Sequence, residues 1–149
     1  LTSDLMQDKK VPIFSKTSAQ RIKGFADIDQ PTVQVIENVG GTNERFAEEL
    51  KDRGFLDQAL LRISPSNEGT YSCFERHPHI ELVMFTDLIE AQYRVSMPGS
   101  ILSDEGFNFA IPGGLQTMTG KAYMAPRTDG GRALVQEVDA FLVAAANSG

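Results

Sequence analysis

Thr32-Val33-Gln34-Val35-Ile36, then Gly40-Gly41-Thr42-Asn43, then a segment over 44–53 with Phe46, Ala47 and Leu50 at helical spacing: this stretch decides the fold. The first run is β-branched and apolar, which suits a buried strand. The glycine pair breaks it, and Gly54 stands where a helix C-cap belongs. Strand, glycine turn and helix make half of a βαβ unit.

The pattern repeats on the C-terminal side. Leu60-Leu61-Arg62-Ile63 reads as a short strand closed by Ser64-Pro65-Ser66-Asn67, with a helix expected over 68–76. His77-Pro78-His79 turns the chain into Leu82-Val83-Met84-Phe85, a continuous apolar run that fits a strand covered on both faces. Thr86-Asp87 is placed to cap a helix over 88–95. Repeated strand–helix units predict a mostly parallel α/β sheet flanked by helices, with right-handed crossovers.

On the N-terminal side, Val11-Pro12-Ile13-Phe14 is a strand candidate, and residues 21–29 read as a short polar helix or turn stopped by Gln30-Pro31. After Met97-Pro98-Gly99 the composition favours loop or hairpin, and Lys121-Ala122-Tyr123-Met124-Ala125 favours another strand. Leu134, Val135, Val138, Phe141, Leu142 and Ala145 share one helical face, which predicts a C-terminal docking helix. The expected division is an α/β domain over 1–127 and an amphipathic helix over 128–149.

Composition narrows the function classes. At 149 residues, 41% hydrophobic and 23% charged, the chain suits one globular domain with a real core. A net charge of −6 with no cluster of Lys and Arg argues against nucleic acid and against an anionic membrane surface. No apolar run approaches the ~18 residues that span a bilayer. A start at Leu1 rather than Met fits a mature secreted form or a fragment. Cys73 is the sole cysteine, so no intrachain disulfide is possible, and a small half-buried residue is its expected role.

Two motifs carry candidate chemistry. At Gly40-Gly41-Thr42-Asn43-Glu44 a strand hands over to a helix, where outward backbone N–H groups and the helix dipole favour a carboxylate or phosphate. Thr42 and Asn43 can add side-chain donors, and an ordinary capped turn is the plainer reading. No P-loop lysine follows the glycines, so nucleotide binding gains little support. In Thr86-Asp87-Leu88-Ile89-Glu90, the acids stand three apart at the carboxyl end of the best strand, where open parallel sheets bind ligands. Here too a capping aspartate and a solvated glutamate are the plain alternative, and a general acid needs partial burial. His77 and His79 fit a surface turn better than a zinc site, so no metal is expected.

Taken together, several stretches resemble the cyclohexadienyl (prephenate/arogenate) dehydratases, in the family's order and with similar gaps. They are Asp29-Gln30-Pro31 with the strand after it, Gly40 through Ala47, Thr86-Asp87-Leu88-Ile89-Glu90-Ala91, and Lys121 through Arg127. Residues 8–12 are similar to the family's crossing into its second lobe. The resemblance implies one lobe of a type II periplasmic-binding-protein-like fold and a periplasmic or secreted protein working without cofactor. It implies a substrate carboxylate held at Gly41, Thr42 and Asn43, and Glu90 as general acid for loss of the ring hydroxyl. Asp87 would take the place where amino-acid binders hold an amino group, and Lys121 would lie near the cleft. The runner-up is a non-catalytic solute binder for a small carboxylate or amino acid. A third reading is an interaction domain that has lost its cleft. The departures are the lack of the family's first lobe with its arginine clamp, Ser64-Pro65-Ser66-Asn67 in place of a His-Pro-Asp-Asn stretch, Gly120 in place of a glutamate, and an unfamiliar insertion over 111–118.

Overall fold

The computed structural model describes residues 6–115, 119–121 and 124–148. Ala122 and Tyr123 of the expected fifth strand, and part of the insertion over 111–118, lie outside the described residues. The chain divides into a smaller unit, residues 1–8 with 118–149, and a larger one, residues 9–117.

In the smaller unit, β1 (Met6–Asp8) pairs antiparallel with β7 (Thr119–Lys121), and α4 (Asp129–Ser148) follows. The larger unit holds β2 (Lys10–Ser15), β3 (Val33–Asn38), α1 (Thr42–Asp52), β4 (Leu60–Ser64), α2 (Asn67–Arg76), β5 (Glu81–Asp87), α3 (Leu88–Ser96) and β6 (Leu102–Ser103). Its five strands form one sheet in the order β4-β3-β5-β2-β6.

β3 runs parallel to both β4 and β5, as the helical crossovers α1 and α2 require. The expectation of a mostly parallel sheet is modified on the other side. β2 pairs antiparallel with β5, and β6 antiparallel with β2, giving a mixed sheet. No crossover helix links β2 to the parallel strands: residues 21–29, read as a polar helix or turn, hold one 3₁₀ turn at Phe25–Asp27, with another just before it at Ser18–Gln20.

β5 has both faces covered. Val83 and Phe85 pack with Val33, Val35, Phe46, Ala47 and Leu50 under α1, and Leu82 and Met84 pack with Ile13, Ile36, Tyr71, Phe74 and Ala91 under α2 and α3. β4 is an edge strand with Leu60 and Ile63 exposed. α1 ends in a left-handed cap at Gly54 (φ +79), and the Phe55 amide donates to the Leu50 carbonyl, the six-to-one bond of a Schellman motif.

Among the described residues no helix is long and apolar enough to cross a membrane. His77 and His79 are exposed in the turn after α2, and no cluster of three metal-capable side chains occurs among the described residues.

Candidate functional site

Because β3, β4 and β5 run parallel, the loops leaving their carboxyl ends open on one edge of the sheet. Antiparallel β2 brings its first residue, Lys10, to the same edge, opposite Asp87. Four loop or strand ends thus supply side chains to one place.

The glycine turn comes first. Gly40 has φ +77, a conformation that only glycine adopts without strain, and its amide donates to the Glu44 carboxylate reaching back from the first turn. α1 begins at Thr42, two residues earlier than the sequence suggests, so Thr42 and Asn43 stand inside its first turn. Thr42 is exposed and Asn43 buried. The first-turn N–H groups of a helix have no acceptor within it, and they add positive potential here.

Asp87 is the N-cap residue of α3, but its side chain does not cap. Its Oδ1 lies 2.8 Å from Lys10 Nζ. The same ammonium donates to Thr42 Oγ1 at 2.8 Å and to Asn43 Oδ1 at 2.6 Å. The Asn43 amide turns inward and donates to Thr86 Oγ1 at 3.3 Å. The Thr86 hydroxyl donates to Glu90 Oε2 at 2.7 Å, and Asn67 Nδ2 donates to Glu90 Oε1 at 2.6 Å.

One continuous run of polar contacts therefore joins Asp87, Lys10, Asn43, Thr86, Glu90 and Asn67. It draws on β2, α1, β5, α2 and α3. Glu90 is half-buried, with both oxygens oriented by neighbours rather than loose in solvent.

α2 supports that wall. Arg94 stacks over the Tyr71 ring at 4.0 Å and pairs with Glu68, bracing α3 against α2. The Tyr71 hydroxyl reaches toward Thr86 and Glu90 without forming a well-directed hydrogen bond. Burial first, and the Glu90 carboxylate second, push its titration far above the usual phenol range.

Beneath the edge lies Glu37, at the end of β3 and fully buried. Its Oε1 accepts the Phe85 amide at 2.6 Å, extending the β3–β5 pairing, and Oε2 has no hydrogen-bond partner among the described residues. Burial holds this carboxyl well above its ordinary value. Glu44 and Glu90 add to the rise, while the Phe85 amide and Lys10 act against it.

The structure thus brings Thr42, Asn43, Asp87 and Glu90 together, with Gly41 at the head of α1. Lys121 is a residue of β7 in the smaller unit, and the cluster is built from the larger unit alone. Sequence reasoning did not single out Lys10, Asn67 or Glu37. Lys10 heads a strand whose antiparallel placement no local pattern reveals, and Asn67 read only as part of a turn. Glu37 carried a signal: an acid in line with the strand's buried apolar positions, Val33 and Val35.

No family model matches the chain. It is 31% identical over 148 residues to cyclohexadienyl dehydratase from Pseudomonas aeruginosa, covering 97% of this chain. The chain spans about half the length of that relative, 48%. Among solved structures, an ancestral cyclohexadienyl dehydratase aligns over 99% of this chain and 55% of its own, at 26% identity and a TM-score of 0.53. An ancestral amino-acid-binding protein, described as a precursor of cyclohexadienyl dehydratase, aligns over 98% of this chain and 55% of its own, with 21% identity and a TM-score of 0.68. The substrate-binding protein of an amino-acid ABC transporter from Streptococcus pneumoniae, bound to L-arginine, gives 13% identity, 99% and 55% coverage and a TM-score of 0.60. By sequence and by fold, the chain is a relative of the cyclohexadienyl dehydratases and is built as one lobe of the periplasmic amino-acid-binding architecture.

Proposed function

We propose that this chain is the acid-bearing lobe of a periplasmic cyclohexadienyl dehydratase-type lyase. The carrying observation is the run of contacts that ties the α1 turn to Glu90 on one sheet edge. In this reading a substrate carboxylate docks at Gly41, Thr42 and Asn43, drawn by the first-turn amides and the Thr42 hydroxyl. A protonated Glu90 gives its proton to the leaving ring hydroxyl, which departs as water. The electrons of the ring-to-carboxylate bond move into the ring as carbon dioxide leaves, and the ring becomes aromatic. Prephenate would give phenylpyruvate and arogenate would give phenylalanine, and no cofactor is called for. The resemblance alone gives Lys121 a role in substrate binding.

A single lobe offers one wall of a cleft. Orientation and exclusion of water, worth effective molarities of ~10⁵–10⁸ M, need the opposite wall as well. The test is phenylpyruvate formation from prephenate in neutral buffer, by the chain alone and with a complementary first lobe from the Pseudomonas relative. We expect little turnover by the chain alone and restored turnover with the added lobe. Glu90→Gln should then cut the rate by about 10²–10⁴. Restored turnover that survives Glu90→Gln would remove Glu90 from the chemistry.

A second reading, a non-catalytic solute binder, draws on Glu90 itself. Both its oxygens accept hydrogen bonds, which suits a fixed anion better than a proton donor. Saturable prephenate binding with no turnover, even with both lobes present, would decide for it.

A further inference from the structure

The two neighbours of β3 leave it at different points. Its register with β4 runs on to Asn38 opposite Ser64, but its register with β5 stops at Val35 opposite Val83. The β3–β5 pair is therefore open over the last residues before the site edge. On its other side β5 stays in register with β2 as far as Asp87, and there Phe85 faces Pro12, which has no N–H to give. The Phe85 amide points the other way, into the opening, and donates to Glu37 Oε1 at 2.6 Å. Glu37 is fully buried, on the same strand face as Val33 and Val35, and its Oε2 has no hydrogen-bond partner among the described residues. An apolar side chain in line with Val33 and Val35 would avoid the cost of burying that oxygen. A buried acid with one oxygen engaged and one idle is thus a poor device for stability. Its engaged oxygen acts on the backbone one residue before Thr86.

We infer that Glu37 is a positioning residue for Glu90: its carboxyl spans the opening between β3 and β5 and fixes the Phe85–Thr86 backbone, from which the Thr86 hydroxyl holds the Glu90 carboxylate. This deepens the reading of Glu90 as the acid and rests on it. Thr86 is fully buried, accepts from the Asn43 amide at 3.3 Å and donates to Glu90 Oε2 at 2.7 Å. A single side-chain rotamer serves both contacts, and a small rotation of the backbone at Phe85 would carry the hydroxyl off Glu90. Glu37, being buried, acts only through Thr86. Burial holds its carboxyl well above the ordinary value, so the support favours the uncharged form and spares Glu90 a second negative charge beneath it.

The test compares Glu37→Leu, which fills the space without an acceptor, with Glu37→Gln, which keeps one. In the ¹³C,¹⁵N-labelled chain, three-bond couplings to the Thr86 methyl carbon report its χ1 rotamer. One rotamer is expected in the wild-type chain and in Glu37→Gln, and a mixture in Glu37→Leu. With the complementary first lobe added, Glu37→Leu should lower kcat for prephenate by about tenfold and leave KM within about threefold. Glu37→Gln should hold kcat within about threefold of the wild-type value. A generally loosened fold would move both constants and would not be rescued by the amide. Thr86→Val should cost kcat about as much, and adding Glu37→Leu to it should cost little more, because the two residues act in series. If Glu37→Leu does not fold, Glu37→Asp, one methylene too short to reach Phe85, takes its place. A single Thr86 rotamer in the Leu or Asp variant, or costs of the two substitutions that multiply, overturns the inference while leaving Glu90 as the acid. If no form turns over prephenate, the acid reading fails. A mixed Thr86 rotamer in Glu37→Leu then still upholds Glu37 as the residue that positions Glu90, and a single one overturns it.

Discussion

Helices α1 and α4 carry apolar residues at the same helical spacing and end in opposite surroundings. In α1, Phe46, Ala47 and Leu50 are buried against the sheet, joining Val33, Val35 and Phe85 in one cluster. In α4, Leu134 and Phe141 remain 54% and 70% exposed, on the face expected to dock. Periodicity of 3.6 identifies the face that favours burial, and is silent on whether this chain supplies the surface that covers it. α1 finds its cover because a parallel strand lies on each side of β3 in register. The two helices therefore divide the molecule into residues whose energetics the chain settles internally and residues whose energetics it leaves open.

The sharpest way to break this contrast is truncation in the covered helix. Leu50 is fully buried, so Leu50→Ala should lower the unfolding free energy by about 2–5 kcal/mol in urea denaturation. A loss below about 1 kcal/mol would mean that α1 does not own the core assigned to it.

A smaller effect, with a definite sign, is expected under the same helix at Glu37. Its folded-state value lies well above the ordinary 4.5, so the folded chain keeps a proton that the unfolded chain releases. Stability is then fullest below about pH 4.5 and declines as pH rises toward the folded-state value. Glu37→Gln keeps an oxygen for the Phe85 amide and has no proton to lose. Measured at about pH 5 and about pH 8, the variant should show the flatter pH dependence and be the more stable form at the upper value. Destabilisation of the same size at both pH values would show that the carboxyl is needed for its shape or its second oxygen.

The smallest effect belongs to the exposed Phe141 of α4. Phe141→Ser should change stability by less than about 0.5 kcal/mol, because the side chain leaves little packing behind. A cost above about 1.5 kcal/mol in the chain alone would show that α4 packs in solution and would close the gap between the two helices.

The strand–glycine–helix logic was legible because β-branched runs, glycine pairs and helical spacing are local properties. β3, α1, α2, β5 and α3 all appear within a few residues of where those signals put them. Asp87 and Glu90 were legible as a pair, since N-cap and first-turn positions follow from the helix start. Two of the six residues in the run were not. Lys10 lies far from Thr42, Asn43 and Asp87 in sequence, and only an antiparallel β2 sets it opposite Asp87. Asn67 reaches Glu90 from a different crossover.

By itself the sequence determined the α/β alternation, the apolar strands and the two motifs at strand ends, because each depends on contacts within one turn or one strand. The tertiary structure alone decided the direction of β2, the capture of Asp87 by Lys10 rather than by its own helix, and the approach of Asn67 to Glu90. Each of these depends on which strands become neighbours, a choice made by packing the whole sheet between its helices. No residue carries that information in its own neighbourhood.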